Sequence, residues 1–242
     1  MIRRDYLLRQ VEQFVATLAK IAGLAKNEQW QEAAATAAGE FQKLTGADGP
    51  EVVRMSETEL LARLIQGEPT QAVESKAFRL ATLLKANGDL LAGQDRLVES
   101  REYYLKGLHL LLDTVGRNEI GERPDFVPAV EAFLTGLRDA SLPAKTNAML
   151  MCHYERIGEF ARAEDALFGL LDAGPANVEL LDFGAAFYRR LLALSDDALA
   201  AGNLPRAEVK TGLDELDQRR TLPALKRLAV PLDLPPDKRK NE

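Results

Sequence analysis

Apolar residues recur along this chain at three- and four-residue spacing and hardly anywhere in strict alternation. From Arg3 to Lys26 the residues Leu7, Leu8, Val11, Phe14, Val15, Leu18, Ile21 and Ala22 make one continuous stripe, which predicts a helix. Asn27-Glu28 interrupts it. A second helix follows from Trp30 to Leu44, with Ala33, Ala34, Ala37, Phe41 and Leu44 on one face and Gly46 as its stop. The polar, glycine-bearing stretch from Ala47 to Arg54 reads as a loop. Ser56 and Glu59 then form a capping box, with Met55 placed to staple onto Leu60, and Gly67 and Pro69 end that helix. At 56–66 it is too short for half a helical hairpin and reads as a spacer. The next pair covers 71–115. Its second helix carries Val98, Tyr103, Tyr104, Leu105, Leu108, Leu110, Leu111 and Leu112, apolar nearly all round, which places it near the centre of the stack.

The segment 116–128, GRNEIGERPDFVP, is the longest irregular stretch and reads as a solvated connector or as a lid. A helix over 129–137 leads through Leu142-Pro143 into a further pair at 144–177. A long helix from Val178 to Ala201 is broken by Gly202-Asn203, and Pro205 stands where a helix start tolerates a missing N–H. This closes a last pair at 178–220. Leu225, Leu228 and Val230 could make a short packed segment, and the proline-rich, charged end at 231–242 is expected to be disordered.

The pair at 144–177 also carries a pattern. Leu150, Tyr154, Gly158, Ala163, Leu167 and Pro175 fall at the spacing of a helix-turn-helix repeat of about 34 residues. Tyr154 would wedge between the helices, Gly158 would end the first, and Ala163 would let them cross closely. Gly88, Leu91, Ser100, Tyr104 and Gly107 align with Met151, Tyr154, Ala163, Leu167 and Leu170, with Asp95 in the place of the turn glycine. Ala33 holds the crossing position of the first pair. In the last pair Gly202 holds the turn and Ala207 the crossing.

This rhythm resembles the tetratricopeptide superfamily. The strings IRRDYLLRQVEQF, KNEQWQEA and MSETELLARLI are also similar to those of a bacterial family of tetratricopeptide-like proteins of unknown function. The resemblance implies an all-α fold without sheet, a TPR-like α-α superhelix of stacked hairpins filling one domain at 1–230, whose concave face binds peptides or partner proteins. It also implies the groove. The superfamily lines it from the first helix of each repeat, here with Lys145, Ala148, Cys152 and Glu155, and earlier with Thr82, Lys85, Asp89 and Ala92. The superfamily's carboxylate-clamp version pairs lysine with asparagine. Lys85 could supply the lysine, but Asp89 stands where asparagine is needed and would repel a carboxylate, which argues against that version.

Composition agrees with helices. Hydrophobic residues make up 46% of the 242 positions and aromatics only 6%, while strands favour aromatic and β-branched residues. Thirty-one basic against 37 acidic residues give a net charge of −6, which argues against nucleic acid as a partner. The basic clusters Arg3-Arg4, Arg189-Arg190, Arg219-Arg220 and Lys238-Arg239-Lys240 read as solvated faces. The single cysteine, Cys152, excludes an internal disulfide, and no run approaches the roughly 18 apolar residues of a membrane span. The opening residues are too polar for a signal peptide, so a cytoplasmic protein without a membrane partner is expected.

Enzyme chemistry finds little foothold. His109 and His153 are the only histidines, and Cys152-His153 are helix neighbours about 100° apart, a poor nucleophile–base pair in which a buried thiol beside a half-exposed imidazole is expected. Cys-x-x-Cys, His-Glu-x-x-His, Glu-x-x-His and the glycine-rich phosphate loops do not occur, so neither metal nor cofactor is expected. The acidic groups Asp196-Asp197 and Glu119/Glu122/Asp125 read as surface. Phe183, Phe187 and Tyr188 read as core packing before they read as an aromatic anchor. Three functions follow: a non-enzymatic scaffold for a protein or peptide, a self-assembling protein dimerising through Tyr6 to Leu24, and a small-molecule sensor or weak enzyme with 116–128 as lid.

Overall fold

The computed structural model describes residues 2–66, 70–117, 123–138, 141–173 and 178–228. Among the described residues the chain is all-α, twelve helices and no strand: α1 Ile2–Lys26, α2 Trp30–Thr45, α3 Gly49–Arg54, α4 Glu57–Ile65, α5 Thr70–Ala92, α6 Leu97–Arg117, α7 Val130–Leu137, α8 Ala144–Ile157, α9 Phe160–Asp172, α10 Val178–Leu192, α11 Asp196–Ala201 and α12 Arg206–Leu228. They fall into two compact units, Met1–Met149 and Leu150–Glu242.

One turn recurs in both units. Glu28, Asp95, Gly158 and Asn203 each adopt left-handed backbone, with φ of 58°, 57°, 80° and 56°. After each, the next residue's N–H reaches back five positions to a helix carbonyl: Gln29 to Leu24, Arg96 to Leu91 and Glu159 to Tyr154 at 2.9 Å, and Leu204 to Leu199 at 3.0 Å. This is a Schellman ending, which satisfies carbonyls that the helix itself leaves open. In the first three turns the second helix then brings a small residue to the crossing. Ala33, Ser100 and Ala163 are all buried, and the Ser100 hydroxyl donates to the Gly88 carbonyl at 2.8 Å. The fourth turn departs. Its left-handed residue is Asn203 and not Gly202, Ala207 is exposed, and Val209 and Gly212 take the inner face instead.

In the first unit α5 is the central helix. It packs on α1, α2, α4, α6 and α7, and every residue from Ala77 to Leu84 is buried. The nearly all-round apolar pattern of α6 predicts that helix in the central place instead. That helix packs on α3, α5 and α7, but its first turn leaves Leu97 and Val98 65% and 78% exposed. The expected loop at 47–54 holds α3 instead, capped by Asp48, whose carboxylate accepts the Glu51 N–H at 2.8 Å, with Pro50 in its first turn. The Ser56/Glu59 capping box is present in both directions, and Met55 and Leu60 are buried in the same cluster.

In the second unit α10 packs on α9 and α12 and turns Leu181, Ala185, Phe187, Tyr188 and Leu191 inward. The helix expected over 178–201 is two. Ser195 breaks it and caps α11 by accepting the Ala198 N–H. Close helix approach comes from glycine: a Cβ on Gly184 would meet Leu216 at 2.8 Å and Leu167 at 3.2 Å. The last helix extends past 220 to Leu228, and the tail expected at 231–242 lies outside the described residues.

Candidate functional site

The residues expected to line a groove do not present themselves as one. Thr82 is 4% exposed and donates its hydroxyl to the Phe78 carbonyl, because α5 is buried on every side at that level. Lys85 and Asp89 neutralise each other one helix turn apart, at 2.7 Å, and Asp89 also accepts the Tyr104 hydroxyl at 2.7 Å. Ala148 is half-buried. Glu155 grips Arg190 through both carboxylate oxygens, at 2.6 and 2.7 Å. Cys152 is an exposed free thiol rather than the buried one expected, since the inner face of α8 is Thr146, Asn147, Leu150, Met151 and Tyr154. Partial desolvation still pushes the Cys152 thiol pKa up, which disfavours the thiolate. Phe187 and Tyr188 are fully buried and Phe183 half-buried, so the aromatic anchor gives way to core packing.

Lys145 alone of that set leads to a site. Its ammonium meets Glu57 of α4 at the edge of a cleft of about 370 Å³ between α4, α6 and α8, all of whose lining residues belong to the first unit. Leu60, Leu61, Leu110 and Met149 line it with apolar surface. Glu57, Thr58, Lys106, His109, Asp113, Arg117 and Lys145 give its polar part. The capping box fixes the start of α4 and so the place of Glu57. The recurrent turn at Asp95 fixes α6, whose residues 106, 109, 110, 113 and 117 share one face by helical spacing.

The cleft's charges are largely matched. Lys145 holds the Glu57 carboxyl below its ordinary range, and Arg117 binds Asp113 at 2.9 Å. His109 Nε2 lies 2.8 Å from the hydroxyl of Thr146, which is fully buried, and Nδ1 lies 3.9 Å from Glu57. Burial, then the positive charge of Lys145, pushes the His109 pKa below 6.5 against the pull of Glu57. Lys106 differs. It is half-buried and donates to the Met55 carbonyl, and among the described residues it makes no ion pair. Desolvation lowers its pKa, Glu57 opposes that, Lys145 adds to it, and Glu59 opposes it more weakly.

A stability prediction follows from His109. An imidazole whose folded pKa is depressed is neutral in the fold while the unfolded chain takes up a proton. Its contribution is therefore complete above about pH 6.5 and is lost as pH falls from there through the folded value. Urea unfolding between pH 7.5 and 5 is expected to show a smaller fall for His109→Gln than for the parent. Equal slopes would remove His109 as the cause.

Elsewhere the described residues offer less. A smaller polar depression of about 180 Å³ near Gln10, Gln13 and Thr17 has Lys43 tied to Glu40 at 3.0 Å. Of the basic clusters, Arg190 pairs with Glu155, Arg219 with Glu215 and Arg220 with Asp182. The Arg3-Arg4 side chains and Lys238-Arg239-Lys240 lie outside the described residues, as do residues 118–122 of the expected lid. Among the described residues no helix is long and apolar enough to cross a membrane.

The chain belongs to a family of unknown function, DUF6483, whose model matches residues 1–221. No curated protein and no solved structure matched the chain.

Proposed function

We propose that this family member is a non-catalytic binding scaffold of tetratricopeptide-like build, which takes a segment of a partner protein into the cleft between α4, α6 and α8. The observation that carries this is the cleft itself: an apolar floor of Leu60, Leu61, Leu110 and Met149, within the roughly 300–1,000 Å³ of ligand pockets, rimmed by charged groups. The build is supported by the repeated turn and by the order of packing, in which α1 touches both α2 and α5, and α2 also touches α5. The absence of a reaction is supported by His109, which has Thr146 at one nitrogen, and by Cys152, whose thiol is shifted away from thiolate.

Panning a displayed random peptide library against the full chain tests the reading. Peptides with an apolar anchor are expected to be enriched on the parent and lost on Leu61→Glu, which sets a charge in the floor while leaving the far-UV spectrum unchanged. The same peptides enriched on both proteins would remove the cleft as the site.

Self-association through α1 is a second reading. Leu8 and Val15 remain 54% and 41% exposed, with Val11 and Leu18 half-buried, at heptad spacing beside the buried Phe14 and Ile21. Sedimentation across micromolar concentrations decides it, since a strict monomer throughout excludes the pairing.

A further inference from the structure

Resting on the scaffold reading, we propose that the cleft selects an acidic segment: Lys106 seats a carboxylate that the partner carries beside a leucine-sized apolar side chain. Among the described residues the cleft is lined by three cations, Lys106, Arg117 and Lys145, and two carboxylates, Glu57 and Asp113. Lys145 and Glu57 are paired, and so are Arg117 and Asp113. Lys106 is the cation left over, and its one partner among the described residues is the Met55 carbonyl. A carbonyl oxygen carries only a partial charge, and an ammonium has three donors. Two donors therefore remain for a ligand.

Position makes this more than a surface lysine. Lys106 is half-buried, and the apolar lining of Leu60, Leu61, Leu110 and Met149 belongs to the same cleft. A hydrogen bond to an ion strengthens where water is excluded, so an anion placed here gains more than at an exposed lysine. Burial already costs this ammonium more than Glu57 and Glu59 return to it, as its depressed pKa records. An arriving carboxylate removes that cost, while an arriving ammonium adds a like charge beside Lys106 and Lys145. The chain as a whole is acidic, with a net charge of −6, so this spot is a local exception in sign that orients an acidic segment at close range.

The test uses the full chain with its methionine methyls labelled and the Met149 resonance followed by NMR. Octanoate, octanol and octylamine share one apolar body and differ in the head. Octanoate is expected to bind at least about tenfold tighter than octanol, the smaller end of what a charge-assisted hydrogen bond supplies, and octylamine weaker still. Lys106→Met is expected to erase the octanoate preference and keep octanol binding, while Lys106→Arg keeps both. Equal binding of octanoate and octanol by the parent overturns the anion seat, whether or not either variant folds. Preference kept by Lys106→Met but lost by Lys145→Gln overturns the assignment to Lys106.

A second arm separates the sources. The blocked pentapeptides acetyl-Leu-Leu-Glu-Leu-Leu-amide and its glutamine counterpart are expected to repeat the preference at the same methyl. Octanoate preferred while neither peptide binds overturns the protein segment as occupant and leaves the anion seat standing. Both peptides bound equally, with octanoate and octanol also equal, leaves the scaffold reading standing and overturns the seat.

Discussion

Tyr104→Ala is expected to destabilise the first unit by about 3–5 kcal/mol, the range for emptying a buried aromatic site. Tyr104 is 5% exposed on α6, and its ring is closed in by backbone from two sides. A Cβ on Gly88 of α5 would stand 2.7 Å from the ring, and one on Gly136 of α7 would stand 2.4 Å from it. The helices approach closely because both positions are glycine, so surroundings held that rigidly collapse little when the ring goes. The hydroxyl is the smaller part. Its bond to Asp89 is shared with Lys85 at a half-exposed carboxylate, so Tyr104→Phe should cost about 1 kcal/mol. Urea unfolding of a double-mutant cycle checks the packing claim. Gly136→Ala alone should cost about 1–3 kcal/mol by overpacking. In the Tyr104→Ala background the same change should cost nothing, because the atom it meets is gone and helix propensity favours alanine by up to about 1 kcal/mol. Additive effects would mean that Gly136 and Tyr104 are not in contact.

How far the sequence could be read depends on the range of the interactions. The Ser56/Glu59 box, the stop at Gly46 and the turn at Gly158 are decided within a few residues, and the structure has each of them. Asp95 in the glycine place was legible too, since aspartate tolerates left-handed backbone better than most residues. Two local signals went unread. Asp48 ahead of Gly49-Pro50-Glu51 is a cap with proline in the first turn, and Ser195 ahead of Asp196-Asp197 is a cap with an acidic first turn. Hydrophobic spacing alone reads the first as a loop and the second as surface charge.

The site was legible only at one residue. Lys145 was singled out, but as a groove position with a free charge. Its partner Glu57 lies 88 residues earlier, and Lys106 and His109 come from a third helix. Nothing in spacing along the chain joins them, because the cleft is made by the packing of α4, a helix that periodicity marks only as a spacer. The same distance explains Thr82. A repeat register assigns it to a concave face, but that register does not know that α1, α2, α4, α6 and α7 all close on α5.

In the second unit Gly212→Ala separates propensity from packing by sign. Propensity alone has alanine stabilise a helix interior by up to about 1 kcal/mol over glycine. The structure reverses this. A Cβ at 212 would stand 2.3 Å from both Cζ and the hydroxyl oxygen of Tyr188. Tyr188 is fully buried on α10, and its hydroxyl donates to Glu164 Oε1 at 2.7 Å, so it has no room to retreat. Gly212→Ala is therefore expected to cost about 1–3 kcal/mol in urea unfolding. Tyr188→Phe removes one of the three ring and hydroxyl atoms in conflict and should reduce that cost. Tyr188→Phe has its own signature, because desolvation raises the Glu164 pKa above 4.5 and the tyrosine hydroxyl opposes it. A carboxyl raised in the fold contributes stability that is complete below about pH 4.5 and is lost as pH rises through the folded value. Losing the hydroxyl raises that value further, so the deficit of Tyr188→Phe against the parent should be larger at pH 7 than at pH 4.5. A deficit that does not change with pH would show that Glu164 draws nothing from Tyr188. A stabilising Gly212→Ala would show that α10 and α12 stand further apart than these contacts require.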